Sequence, residues 1–152
     1  MIINLTGQAG SGKTSIAKQI INIIPNSINI DGDELREIFV NKDYSEAGRR
    51  KNISNAYNIA LFLEAKGFTP VISLISPYKD LRDELKLNGK QVLEVYVTTT
   101  EIRGREKFFA EGYQPPTEKF LPIDTTGGNA TTFADQIITC LNNGLFKHLI
   151  EK

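Results

Sequence analysis

The opening of the chain constrains the fold more than any other stretch. Ile2-Ile3-Asn4-Leu5-Thr6 is a short, mostly apolar run, and Lys13 to Ile21 reads as a helix. Between them Gly7-Gln8-Ala9-Gly10-Ser11-Gly12-Lys13-Thr14 fits G-x-x-x-x-G-K-[ST] at every fixed position. Strand, glycine-rich loop and helix in this order are the context in which that pattern cradles phosphate. Gly7, Gly10 and Gly12 let the backbone turn tightly and bring its N–H groups against phosphate oxygens. The helix entered at Lys13 points its positive end at the same oxygens. Lys13 is placed to reach the β- and γ-phosphates of a nucleoside triphosphate, and the Thr14 hydroxyl to ligate Mg²⁺. Ser11 and Ser15 belong to the same loop and first helical turn and are counted with the ATP-binding set.

The rest of the chain alternates strands and helices. The apolar run at 27–30 predicts a second strand after Pro25-Asn26 stops the first helix. A short helix is expected from Asp33 to about Val40, and a long one over about 46–66. In the long helix Ile53, Ala56, Ala60 and Leu63 recur at three- and four-residue spacing, and Gly67 ends it. Residues 69–75 form a nearly unbroken apolar run, as a buried central strand should. A helix over about 79–87, a strand over 91–98, a helix beginning near Thr100, an irregular segment over about 109–119, a strand over 121–124 and a helix over 130–143 complete the reading. This alternation predicts an α/β protein with a five-stranded parallel sheet and helices on both faces, which with the glycine-rich loop makes a P-loop NTPase fold. No internal repeat, low-complexity tract or interdomain linker breaks residues 1–152, which read as a single domain.

Composition narrows the partners. The 18 Lys+Arg balance the 18 Asp+Glu, which gives no electrostatic footprint for nucleic acid or an anionic membrane. No apolar run is long enough to span a bilayer. The chain starts directly on its first strand, so no signal peptide is expected. The one cysteine, Cys140, lies in the apolar stretch Ile137-Ile138-Thr139-Cys140-Leu141 and reads as a buried packing thiol. A reducing cytoplasm is the natural compartment. The one histidine, His148, reads as a surface residue. Assembly as a homodimer is left open.

Ligands of such sheets sit at the carboxyl ends of the strands, where Asp31-Gly32-Asp33, Ser76-Pro77-Tyr78 and Asp124-Thr125-Thr126 fall. Strand three ends without an acid, so Asp31 or Asp33 must supply the metal-side carboxylate or the base that takes an acceptor's proton. The same tripeptide also suits a turn and helix N-cap, and both readings can hold. Arg36 follows Asp33 by three residues. Arg49 and Asn52 share a face near the start of the long helix, an arrangement suited to an anionic acceptor; on spacing alone a solvated face is the plainer reading. A GTPase-like switch would need NKxD, and in Asn41-Lys42-Asp43 the acid comes one residue early.

Taken together these fragments resemble the adenylylsulfate kinase family, which phosphorylates the 3′-hydroxyl of adenosine 5′-phosphosulfate with MgATP. Gly7–Ile16 resembles its loop, Asp31 to Arg36 its DGDxxR motif, Tyr44-Ser45 with Arg49 and Asn52 its FSxxDRxxN stretch, and Ile75 to Tyr78 its ISP[FY] signature. Glu94 to Val97, Tyr113 to Pro116 and Ile123 to Thr125 resemble its EVYV, PYEPP and LDT segments. The resemblance implies ATP and Mg²⁺ at Lys13 and Thr14, with Asp33 activating the acceptor hydroxyl or holding the metal and Asp31 supporting it. It implies acceptor binding by Arg36, Arg49 and Asn52, base stacking by Tyr44, a place for Ser76 near the phosphates and for Tyr78 beside it, and contact of Arg105 with adenine.

The chain departs from the family at Ser54-Asn55, where the family has Arg-Arg, at Thr98-Thr99-Thr100, where it has DTP, and above all in the lid. The family's lid is reduced here to Glu106–Gly112, where Phe108 or Phe109 stands in for its aromatic only by analogy. A shortened lid suggests a slower enzyme or a different nucleotide-linked acceptor, such as a cytidine-linked phosphoramidate. A non-kinase P-loop nucleotide-binding module is the remaining alternative.

Overall fold

In the computed structural model, which describes residues 1–144 and 146–150, five parallel strands form one sheet in the order β2-β3-β1-β4-β5. They are β1 (Ile2–Thr6), β2 (Ser27–Asp31), β3 (Thr69–Ser73), β4 (Val92–Thr98) and β5 (Leu121–Asp124). β1 is central and buried along its whole length. The loop that follows it therefore emerges at the middle of the sheet's carboxyl edge. The helices are α1 (Lys13–Ile23), α2 (Gly32–Ile38), α3 (Glu46–Ala65), α4 (Lys79–Asn88), α5 (Ala130–Asn142) and α6 (Lys147–Ile150). Their apolar faces seal the two sides of the sheet. Ile16, Ala17 and Ile20 of α1 pack with Phe133, Ala134 and Ile137 of α5 over Ile3, Leu5 and Val95. Ile53, Ala56, Tyr57 and Ala60 of α3 pack with Leu85 of α4 over Ile2 and Ile72. Truncating one such isoleucine to alanine costs ~2–5 kcal/mol.

The expected elements form, with four corrections. Strand three stops at Ser73, not Ile75, because its neighbours leave there: Ser73 pairs with Asp31, where β2 turns into α2. The helix expected near Thr100 is absent. Thr99 Oγ1 accepts the Glu101 amide, Thr126 Oγ1 accepts the Thr100 amide, and Gly104 has φ +74. Side chains thus take the amides a helix would use, and only a 3₁₀ turn at Glu106–Phe108 follows. The short α6 was not expected, and Cys140 is half-buried rather than buried. His148 is exposed, as expected. Among the described residues no helix is long and apolar enough to cross a membrane.

A buried ion-pair cluster ties the sheet to the chain beyond the short lid. Arg82 of α4 donates from Nε to Glu94 Oε1 at 2.7 Å and from Nη1 and Nη2 to the Ser76 and Gln114 carbonyls. Lys86 joins Glu94 from the other side. Removing one partner would leave a buried charge uncompensated, a loss of ~3–5 kcal/mol.

Candidate active site

A cleft of about 750 Å³ opens at the carboxyl edge of the sheet. Its floor is the phosphate loop. Gly10 and Gly12 have φ +75 and +103, a region that side-chain-bearing residues rarely enter. Lys13 is buried (6% exposed) and folds back on the loop, Nζ donating to the Gln8 carbonyl at 2.6 Å and to Ser11 Oγ at 3.2 Å. Burial pulls its ammonium down to about 7, because a desolvated charge is disfavoured until a counter-charge arrives.

Beside it, Thr14 Oγ1 donates to Asp31 Oδ2 at 2.8 Å, and Ser73 Oγ donates to the same oxygen at 3.2 Å. The other oxygen, Oδ1, accepts the amides of Asp33 and Glu34 and caps α2. Asp31 thus caps α2 and meets the loop's Thr14 hydroxyl at once. The contact with Thr14 belongs to Asp31 and not to Asp33, whose side chain is 78% exposed and stands toward Arg105.

The opposite wall is built by α2, the loop 39–45 and the start of α3. Arg36, Tyr44, Arg49 and Asn52 all line it. Arg36 Nη1 donates to the Asn41 and Asp43 carbonyls and to Asn41 Oδ1, and its guanidinium lies 4.1 Å from the Tyr44 ring centre. Arg49 Nε holds the Tyr44 carbonyl at 3.0 Å. Both arginines thus fix Tyr44, which remains 54% exposed toward the cleft. Asn41 is the brace: Oδ1 accepts the Asp43 amide and Nδ2 donates to the Gly48 carbonyl. A Cβ at Gly48 would stand 2.1 Å from the Asp43 carbonyl oxygen, so only glycine lets loop and helix approach this closely. Asn52 is buried, donates to the Gly32 carbonyl, and leaves its Oδ1 without a partner. An orphaned buried acceptor costs ~1–3 kcal/mol and is a natural place for a ligand's donor.

Two residues expected to touch the acceptor lie elsewhere. Ser76 is fully buried; its hydroxyl meets Tyr57 and its carbonyl accepts from Thr6 and Arg82. Tyr78 sits in the α3–α4 core under the Arg50 guanidinium. Neither lines the cleft. The Arg82 bond to the Ser76 carbonyl and the packing of Tyr78 against α3 and α4 hold this segment in the core.

The third wall was missed by sequence reasoning. Arg103 donates to the Gly10 carbonyl and to Thr125 Oγ1 and O, while Glu101 holds its other side. Gln8 and Ala110 form a reciprocal pair, Nε2 to carbonyl at 3.0 Å and amide to Oε1 at 2.8 Å. These contacts bolt the short 99–112 segment onto the phosphate loop. They also bring Phe108, not Phe109, to the cleft, together with Arg105. The Arg105 guanidinium stands toward Asp33, its Nη2 3.9 Å from Asp33 Oδ2.

The family model for adenylylsulphate kinase matches residues 1–112. The chain belongs to the adenylylsulphate kinase family. It is 35% identical over 100 residues to a cytidine diphosphoramidate kinase of Campylobacter jejuni, covering 63% of this chain and 59% of that protein. It is 29% identical over 137 residues to an adenylyl-sulfate kinase of Buchnera aphidicola, covering 83% and 66%. The chain therefore spans less than two thirds of the length of either curated relative. Its backbone is similar to the Mycobacterium tuberculosis APS kinase solved with AMPPNP and APS, with a TM-score of 0.79, 21% identity and coverage of 93% and 96% of the two chains. A gluconokinase of Sinorhizobium meliloti shares the fold at a TM-score of 0.69 and 16% identity.

Proposed function

We propose that this chain is an ATP-dependent small-molecule kinase that transfers the γ-phosphoryl group of ATP to the 3′-hydroxyl of adenosine 5′-phosphosulfate. One observation carries the reading: a single cleft joins the phosphate loop, with Lys13, Thr14 and Asp31, to Asp33 and the Arg36, Tyr44, Arg49 and Asn52 wall. Donor and acceptor then meet at Asp33.

Lys13, with Gly7, Gly10, Ser11, Gly12 and Ser15 around it, holds the triphosphate. A bound phosphate replaces the Gln8 carbonyl as the partner of Nζ and restores the ammonium. Thr14 and Asp31 present hard oxygens of the kind Mg²⁺ takes. Among the described residues no group of three or more His, Cys, Asp or Glu could hold a metal, which suits an ion that completes its shell with phosphate and water. When bound, Mg²⁺ neutralises charge on the triphosphate. Arg36 and Arg49 favour the acceptor's anionic groups, Tyr44 offers a ring face to its base, and Asn52 Oδ1 takes a donor. Asp33 accepts the proton of the attacking hydroxyl.

A second acceptor has its own support. The cytidine diphosphoramidate kinase relative is the more identical of the two curated proteins, and the segment that would cover the acceptor base is short. A coupled ADP-release assay with adenosine 5′-phosphosulfate and with cytidine diphosphoramidate separates the two. Turnover with adenosine 5′-phosphosulfate supports the leading reading. Turnover with the cytidine compound alone moves the acceptor and keeps the kinase. Copy number, with a homodimer as our proposal, is read by light scattering.

A further inference from the structure

Four arginines line the cleft: Arg36, Arg49, Arg103 and Arg105. Three are committed. Arg36 and Arg49 hydrogen-bond the 41–45 loop, and Arg103 hydrogen-bonds Gly10, Thr125 and Glu101. Arg105 differs. Its closest carboxylate, Asp33, is 3.9 Å away, beyond hydrogen-bond length. Its ring neighbour is Phe108, at 5.0 Å. The guanidinium is therefore positioned without being spent on protein carbonyls.

Its position is set from three sides. Gly104, at φ +74, reverses the chain between the two arginines, so Arg103 is pinned to Gly10 and Thr125 while Arg105 enters the cleft. The Arg105 stem crosses the loop at Gly10, its Cβ 3.1 Å from where a Gly10 Cβ would stand. Phe108 and Phe109 amides close a 3₁₀ turn on the Arg105 and Glu106 carbonyls, and the Gln8–Ala110 pair anchors the far end. The charge is felt at Lys13 as well as at Asp33. Lys13 belongs to the donor and Asp33 to the acceptor's proton, so the group in transit passes between them.

We infer that Arg105 is a catalytic residue whose guanidinium binds the phosphoryl group as it crosses from ATP to the acceptor. The inference rests on the kinase reading. In that step the bond between the γ-phosphorus and the β,γ-bridging oxygen breaks and ADP leaves. A bond forms from the acceptor hydroxyl oxygen to the same phosphorus, and the hydroxyl proton goes to the Asp33 carboxylate. Charge spreads over the equatorial phosphoryl oxygens at that moment, where a planar, always-charged fork of donors is most effective. The short lid thus supplies in cis the cation that a longer lid or a partner would otherwise bring.

The test compares wild type with Arg105→Ala and Arg105→Lys in three measurements: transfer to adenosine 5′-phosphosulfate, slow hydrolysis of ATP without acceptor, and affinity for a fluorescent ATP analogue. The side chain is 52% exposed, so folding is not at stake. Arg105→Ala is expected to lower kcat for both transfer and hydrolysis by ~100-fold or more, with analogue affinity and the KM for ATP within about threefold. Lysine recovers part of the loss because it keeps charge without the fork, and added guanidinium partly rescues the alanine variant. Rates of Arg105→Ala within threefold of wild type overturn the inference. So does a loss of analogue affinity equal to the loss of rate, which would make Arg105 a nucleotide-holding residue. If wild type hydrolyses ATP but leaves adenosine 5′-phosphosulfate untouched, the acceptor assignment fails, while the hydrolysis measurement still decides Arg105. A wild type inert in both reactions overturns both proposals.

Discussion

The two walls of the cleft are made differently. On the donor side, the phosphate loop satisfies itself: Lys13 bonds the Gln8 carbonyl, Thr14 bonds Asp31, and Asp31 caps α2. Lys13, Ser11 and Asp31 are buried there, while Thr14 and Ser15 stay exposed. On the acceptor side, long exposed side chains are held by a loop: Arg36 and Arg49 position Tyr44, Asn41 braces the turn, and Val40 takes φ +51, unusual for a β-branched residue. The donor wall is held by short hydrogen bonds around Lys13 and Asp31. The acceptor wall has a fixed charge and an adjustable shape, so a relative can keep the first and change what it accepts through the second.

The comparison breaks most easily at the loop. Lys13→Ala should abolish ATP turnover, a loss of ~10³-fold or more, with the variant still folded by circular dichroism; measurable turnover near wild type would remove Lys13 from the donor side. Asp33→Asn should remove transfer by ~10²–10⁴-fold yet leave ATP affinity within about threefold, since Asp31 and not Asp33 meets Thr14. Equal loss of ATP affinity would put Asp33 on the donor wall. Tyr44→Ala should raise the acceptor KM by ~10-fold, the worth of one stacking contact, and leave the KM for ATP unchanged.

The smallest expected effect concerns protons. Lys13 ionises near 7 in the folded protein against an ordinary 10.5. Between those values the unfolded chain holds a proton the folded one lacks, so this group's contribution makes stability rise with pH across that window. Triphosphate binding restores the ammonium and should take up a proton at about pH 8. Calorimetry in two buffers of different ionisation heat measures it; no uptake at that pH would mean that Lys13 is already charged.

The same contrast governs what could be read from the sequence. The loop, the parallel sheet and the caps follow from neighbours and periodicity, and they form as expected. The 99–112 segment carries no such signal. Its structure depends on Gln8 with Ala110 and Gly10 with Arg103, partners about a hundred residues apart, so Thr99 and Gly104 deny it a helix that its composition allowed. Ser76 and Tyr78 follow a strand's carboxyl end in sequence, but Arg82 bonds the Ser76 carbonyl and Tyr78 packs into the α3–α4 core, so neither lines the cleft. Asn41 looked like a fragment of a base-recognition motif because its role depends on Gly48 and Arg36 closing around it.

The most direct measurement is phosphorus NMR of the product formed from MgATP and adenosine 5′-phosphosulfate by wild type and by Asp33→Asn. A cleft that joins both walls predicts one ADP per new 3′-phosphomonoester with wild type, and neither product with Asp33→Asn although ATP still binds. ADP formed with inorganic phosphate and no phosphomonoester on any nucleotide acceptor would contradict it, leaving a donor wall without an acceptor.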